Sequence, residues 1–144
     1  MHLFRLDTTG SLADTLTEIS KTVKTGWLTI AGQSAADGLA LAAWVKTQDN
    51  TKKKTYKAVC YDLTTLPDDM HVVNIINEKV TFSYDRGEKD GVAYLPSLVG
   101  IFAVCNVTRC STNYQCSNLS VLLEVEDNDA ALGRGNFILV NSEE

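Results

Sequence analysis

Short apolar runs, separated by polar or glycine-containing stretches, recur through most of this chain. They favour β-strands, because strands in globular proteins are short and bounded by turn-forming residues. The run 98–107 is almost continuously apolar, so we predict it as a central strand. The predicted strands cover 27–31, 39–47, 55–63, 71–76, 79–84, 98–107, 119–125 and 136–140. This spacing predicts a mainly β fold, an antiparallel sandwich or jelly roll or a barrel of about eight strands.

One segment before these runs has a helical pattern instead. Ser11 is suited to cap a helix, and Asp14 follows three residues later, as in a capping box. Gly26 is suited to stop the helix. A single apolar stripe follows from the spacing of Leu12, Leu16, Ile19 and Val23. We therefore predict one N-terminal amphipathic helix over residues 11–23.

Length and charge limit the function classes. With 144 residues we expect one domain over 1–144, and the net charge of −5 opposes general affinity for nucleic acid or anionic membranes. We also expect no membrane span, and no secretory signal in residues 1–7. The only basic concentration is Lys52–Lys54, with Lys46 and Lys57 nearby. We interpret it as a solvated hairpin tip that discourages edge pairing, with phosphate binding as the less favoured alternative.

The sequence has only two histidines, which leaves little room for imidazole catalysis. His2 lies near the beginning of the sequence and His71 follows Asp68-Asp69-Met70, without a nucleophile motif around either. We expect His71 to be a partly exposed residue at a strand start, with a role as a base less favoured. Carboxylate pairs could support hydrolysis without histidine. The candidate acidic clusters are Asp68/Asp69, Asp85/Glu88/Asp90 and Glu124/Glu126/Asp127/Asp129, all predicted in solvated turns or strand ends.

Metal sites and disulfides are also weakly indicated. The loop Asp127-Asn128-Asp129 could offer oxygen ligands to calcium, but Ala131 and Leu132 break the EF-hand pattern. The four cysteines are Cys60, Cys105, Cys110 and Cys116, and their spacing does not match a typical zinc site. We expect simple thiols, with one disulfide or a metal site as alternatives. The predicted site residues are therefore none: no catalytic, cofactor-binding or metal-ligating residue, and no cofactor.

In general character the chain is similar to the capsid decoration, or cement, proteins of tailed-phage virions. The similarity lies in a short strand Leu3-Phe4-Arg5-Leu6 before the helix, a strand-rich body and an acidic tail ending in Glu143-Glu144. It implies a non-enzymatic structural protein in the virion, assembled in the host cytoplasm, with capsid or other assembly subunits as partners. It also implies a homo-oligomer, a trimer included. The alternatives are a cytoplasmic protein, a carbohydrate- or ligand-binding β-module of a fibre or receptor-binding protein, and, less favoured, a carboxylate-dependent hydrolase. Trp27 or Trp44 could anchor a protein contact, although we favour the core for both.

Overall fold

The architecture combines helices and short strands in a way that overturns the predicted mainly β fold. The computed structural model describes residues 11–63, 69–82, 86–105, 119–121 and 128–139. The helices are α1 (Leu12–Thr22), α2 (Ala35–Thr47), α3 (Leu95–Val104) and α4 (Asn128–Gly133). A π-helical segment (Gln48–Lys52) extends α2, and a 3-10 turn (Gly91–Tyr94) precedes α3. The strands are β1 (Thr25–Leu28), β2 (Thr55–Tyr61), β3 (Val72–Ile75), β4 (Lys79–Phe82), β5 (Gly87–Asp90) and β6 (Leu119–Val121).

The first sheet is parallel and has β2 at its centre, in the order β1-β2-β3. Side chains of β2 alternate between the two faces. Tyr56, Ala58 and Cys60 pack with α1 and α2, whereas Val59 packs with α3. Both faces of the sheet are therefore covered by helices, as is usual for parallel strands. The predicted antiparallel sandwich, jelly roll or barrel of about eight strands is therefore wrong for this chain.

Helix α2 occupies the whole of the predicted strand 39–47, so that prediction is wrong. The segment is rich in alanine and leucine, which favour helix, and it has no strand-like alternation. Ser34 caps it, since its hydroxyl accepts a hydrogen bond from the Asp37 backbone N–H at 3.2 Å. Parallel β1 and β2 also require a crossover connection, and α2 supplies it.

Helix α3 occupies residues 98–104 of the predicted central strand 98–107, so this prediction is also wrong, while residues 106 and 107 lie outside the described ones. Pro96 lies in its first turn, where a missing N–H costs nothing. Leu95, Leu98 and Phe102 face the sheet, and the Phe102 ring stacks on Trp27 with 4.9 Å between centroids. A continuous apolar run cannot distinguish a buried strand from a helix by periodicity. The run is long enough for almost three helical turns, and a helix here covers the apolar side chains on this face of the first sheet.

Several other predictions agree with the structure. The N-terminal helix is confirmed, since α1 begins after Ser11, whose hydroxyl accepts a hydrogen bond from the Asp14 backbone N–H at 3.3 Å. Strands β2, β3 and β4 lie within the predicted runs 55–63, 71–76 and 79–84. Predicted strand 27–31 overlaps β1, and β6 covers the beginning of 119–125, whose last residues are outside the described ones.

The outer edge of β3 is covered by residues 136–139, from far along the chain. The Phe137 N–H donates to the Asn74 carbonyl at 2.8 Å, and Phe137 forms an isolated parallel bridge with Ile75. Asn77 is buried, and its side chain accepts from the Leu139 N–H at 2.7 Å and donates to the Leu139 carbonyl at 2.9 Å. The described part of the predicted strand 136–140, residues 136–139, is thus a single bridge fixed by asparagine side chains.

The second sheet is antiparallel, in the order β5-β4-β6, and its strands come after those of the first sheet along the chain. Glu88 and Asp90, predicted in a turn or strand end, lie in strand β5. At its end, the Gly91 N–H donates to the Glu78 carbonyl at 2.8 Å, which draws the two backbones together. A Cβ on Gly91 would lie 1.7 Å from the Asn77 carbonyl oxygen. Only glycine fits this junction between the sheets.

We predict that Gly91→Ala destabilises the protein by about 3 kcal/mol or more, because rigid backbone would have to move. The measurement is the free energy of unfolding from urea titration. Gly100→Ala in α3 is the matched control, since a Cβ there has nothing within 4 Å. It should be neutral or stabilising by up to about 1 kcal/mol. Equal stability of the two variants would contradict the close approach at Gly91.

Candidate functional site

The strongest cluster of ionisable side chains lies where the parallel strands begin. Strand β3 starts after His71, and the π-helical segment at the end of α2 lies against this start. The chain brings together Asp49 of the π-helical segment, Asp69 and His71 before β3, and Lys46 in the last turn of α2. We call these four residues the histidine cluster.

The imidazole of His71 is held by a carboxylate at each ring nitrogen. Its Nδ1 lies 2.6 Å from Oδ1 of Asp69, and its Nε2 lies 2.7 Å from Oδ2 of Asp49. His71 is only 9% exposed, so the expectation of a partly exposed histidine is wrong. Two short bonds to carboxylates require N–H donors on both nitrogens, which is the protonated imidazolium form.

Asp69 is fixed by further contacts on both of its oxygens. Its Oδ1 also accepts the backbone N–H of His71 at 2.9 Å. The Nζ of Lys46 lies 3.6 Å from Oδ2 of Asp69. Nearby, the Lys57 ammonium on β2 donates to the Met70 carbonyl at 3.1 Å. The cluster thus joins α2, the π-helical segment, β2 and the entry to β3.

The protonation of the cluster follows from these contacts. The hydrogen bond with Asp49, followed by that with Asp69, raises the pKa of His71 above its ordinary 6.5, although burial opposes this. Burial alone would raise the pKa of Asp69. The hydrogen bonds from the His71 backbone and ring, with the charges of His71 and Lys46, outweigh it and hold that pKa below 3.8. The charged pair is therefore the favoured state near neutral pH.

This arrangement is suited to holding structure together rather than to catalysis. An imidazolium with both nitrogens bonded has no lone pair with which to accept a proton from a substrate. The base role considered for His71 would require one of the two carboxylates to leave. Sequence reasoning missed Asp49 and Lys46 as partners, because both belong to a helix that was predicted as a strand and a turn.

In the part of the chain that the structure describes, the acidic clusters named from the sequence lie in separate places. Asp69 belongs to the histidine cluster, whereas Glu88 and Asp90 lie 3.7 and 2.6 Å from the Lys79 ammonium. Asp129 lies in the first turn of α4, so the calcium loop 127–129 is in part helical. The predicted residues Asp68, Asp85, Glu124, Glu126 and Asp127 lie outside the described residues.

The described cysteines are both free thiols. Cys60 is buried, its Sγ donates to the Gly38 carbonyl at 3.7 Å, and burial raises its pKa to about 11. A thiol with that pKa is a poor nucleophile and metal ligand. Cys105 is half-buried at the end of α3, while Cys110 and Cys116 lie outside the described residues. Among the residues placed in the structure, no group of three His, Cys, Asp or Glu could hold a metal ion.

The lysine run and the tryptophans also have defined places. Lys52 ends the π-helical segment, Lys53 has a left-handed backbone, and the Lys54 ammonium donates to the Ser20 carbonyl at 2.5 Å. The predicted hairpin tip is therefore a helix-to-strand connection. Trp27 and Trp44 are half-buried and pack on Phe102 and Tyr56.

The histidine cluster should make stability depend on pH in a defined direction. Because the folded pKa of His71 is raised, its contribution is complete below about pH 6.5 and is lost as pH rises through the folded pKa. The contribution of Asp69, whose pKa is lowered, is present above about pH 3.8 and is lost as pH falls.

We predict that His71→Gln lowers the free energy of unfolding by about 2 kcal/mol at pH 6 and by less at pH 9.

The measurement is urea unfolding of wild type and variant across this pH range. Asp49→Asn is the matched control, since it keeps a hydrogen-bonding side chain but removes one charge that holds the proton on His71. Its pH dependence above pH 6 should differ from that of wild type, with the loss of stability beginning at lower pH. A difference between wild type and His71→Gln that grows towards pH 9 would refute the imidazolium assignment.

No helix in the described ranges is long and apolar enough to cross a membrane. No family model matches the chain, and no curated protein matches its sequence. The function must therefore be argued from the surfaces that the described residues present.

Proposed function

We propose that this chain is a non-enzymatic structural subunit that binds copies of itself and stabilises a larger protein assembly, such as a virion. The observation that carries the proposal is the outer face of α2. A helix that contacts its own core on one side and water on the other is normally polar on the water side. Helix α2 is apolar on both sides.

The inner side of α2 is ordinary core. Leu41, Ala42 and Val45 are buried and pack with β2. The opposite side carries Ala36, Leu39, Ala40 and Ala43, which follow the i, i+3, i+4, i+7 spacing and are all exposed. Leu39 is 37% exposed. We call these four residues the outer α2 face. An apolar face of this kind is suited to contact with another protein surface.

The rest of the described surface supports binding rather than turnover. His71 is enclosed by carboxylates, and the thiol of Cys60 is buried and protonated near neutral pH. Val104, at the end of α3, adds an exposed apolar side chain, 46% exposed, on the opposite side of the sheet. A subunit with contacts on both sides could touch two neighbours at once. Simultaneous contacts raise the effective concentration of each and stabilise an assembly without any chemical step.

The test places polar side chains on the outer α2 face. We expect Leu39→Gln/Ala43→Glu to weaken self-association by about tenfold or more, because a charge at the centre of an apolar contact loses its hydration. The measurement is sedimentation equilibrium of the purified chain over a range of protein concentrations. Thermal unfolding of the same samples shows that the variant is folded.

The matched control is Ala13→Glu on the exposed side of α1, a helix with a polar outer face. It introduces the same side chain on a helix surface outside the outer α2 face and should leave association unchanged. If both variants associate as tightly as wild type, the outer α2 face is not the contact. A wild-type chain that stays monomeric at every concentration would contradict the proposed self-assembly.

A further inference from the structure

The charges of the described residues are separated along the direction of the parallel strands. All three strands of the first sheet start at one end of the molecule and stop at the other. Helix α2 connects the end of β1 to the start of β2, so its last turn lies where the strands begin. This topology places two groups of charged residues at opposite ends of the sheet.

The first group lies where the strands begin, and it is basic. Lys24 precedes β1, while Lys52, Lys53 and Lys54 precede β2. Lys21 and Lys46 are in the last turns of α1 and α2. These six lysines form what we call the basic end. The bonds that hold it together include Lys54 Nζ to the Ser20 carbonyl and the Thr55 N–H to the Lys24 carbonyl at 3.1 Å.

The carboxylates described at the basic end are already engaged. Glu18 lies 2.8 Å from the Lys21 ammonium. Asp49 and Asp69 belong to the histidine cluster, where the imidazolium and Lys46 balance them. Lys52 and Lys53 are exposed. The described side chains at this end therefore carry a net positive charge, although the whole chain has a net charge of −5.

The second group lies where the strands stop, and it is acidic. Asp62 follows β2, Glu78 follows β3, and Asp37 is in the first turn of α2. Asp90 ends β5 beside the junction at Gly91. The pKa of Tyr61, at the end of β2, is raised by burial first and then by Asp62, Glu78 and Asp90, which places these carboxylates around one point. We call Asp37, Asp62, Glu78 and Asp90 the acidic end.

Two lysines are described beside these carboxylates: Lys79, and Lys89, which precedes Asp90 on β5. The Lys79 ammonium lies 2.6 Å from Asp90 and also approaches Glu88 on β5. Asp62 and Glu78 are exposed. The acidic end therefore remains negative, and it is separated from the basic end by the length of the sheet.

From this separation we propose that copies of the chain associate head to tail, with the basic end of one copy on the acidic end of the next. This inference rests on the proposed function and names a second contact used by the assembly. Opposite charge steers such ends together and disfavours pairing of like ends. A contact between two different surfaces of one molecule is heterologous, so it continues from copy to copy. Because the ends lie at opposite sides of the sheet, it gives an open row rather than a closed trimer.

Salt gives the first test of the wild-type chain. Exposed charges attract each other over a screening length of about 30 Å at 0.01 M ionic strength, and this length falls to about 3 Å at 1 M. We expect long oligomers at the lower ionic strength and their loss at the higher one, measured by sedimentation velocity. Apolar contact through the outer α2 face is not weakened by salt, so the two contacts are distinguishable.

Charge exchange gives the decisive test. Variant one is Lys52→Glu/Lys53→Asn and makes the basic end less positive. Variant two is Asp62→Asn/Glu78→Lys and makes the acidic end less negative. Asparagine is used at 53 and 62 because both have left-handed backbone, which asparagine tolerates. Each variant alone should associate about tenfold more weakly at low salt. An equimolar mixture should recover association, since each retains one native end that fits the other.

The matched control is Arg86→Glu/Arg134→Gln, which changes the net charge as variant one does, at two exposed arginines that belong to neither group. It should associate within about twofold of wild type, since only the placement of charge matters. If variants one and two associate like wild type while Leu39→Gln/Ala43→Glu does not, the head-to-tail contact is wrong and the proposed function stands. A mixture no stronger than its separate components also overturns the head-to-tail contact. A wild-type monomer at both ionic strengths refutes both proposals.

Discussion

The central strand β2 is the constraint on which the remaining structure depends. Parallel neighbours bond both of its edges, and buried side chains cover both of its faces. Parallel pairing cannot be made by tight turns, so the chain needs a crossover helix on one face. The other face must be covered as well, because Val59 and its neighbours are apolar. Helices α1, α2 and α3 take their positions because they cover the two apolar faces of this one strand.

The sequence predicted those elements whose local pattern has a single interpretation. Helix α1 has a cap and an apolar stripe, and β2 is a short run rich in aromatic and β-branched residues, so both could be identified from residues alone. Helices α2 and α3 could not be identified from hydrophobic periodicity, because each helix has apolar residues on all its sides. Their start signals were present in Ser34 with Asp37 and in Pro96, but an isolated cap is weak beside an apolar run. The assumed antiparallel topology then followed from these two errors.

In the candidate site, only contacts between residues close in the sequence could be predicted. His71 and Asp69 are two residues apart, so their pairing could be expected from the sequence. Asp49 is 22 positions from His71, and it reaches the ring only because α2 returns the chain to the start of β3. The separation of lysines from carboxylates also depends on topology, since the charges are interleaved along the sequence. Parallel strands convert a mixed linear order into two ends of opposite sign.

The edge of β3 ties the order of folding to the far end of the chain. Residues 11–63 contain α1, α2, β1 and β2, whose contacts are comparatively local and can form as soon as this segment is available. The opposite face needs Phe137 and Leu139, which reach β3 through the side chains and backbone of Asn74 and Asn77. Contacts between residues 62 positions apart close a long loop and form slowly. During synthesis, one side of the sheet can therefore be complete while the other still exposes apolar side chains, which makes the nascent chain a natural client for chaperones.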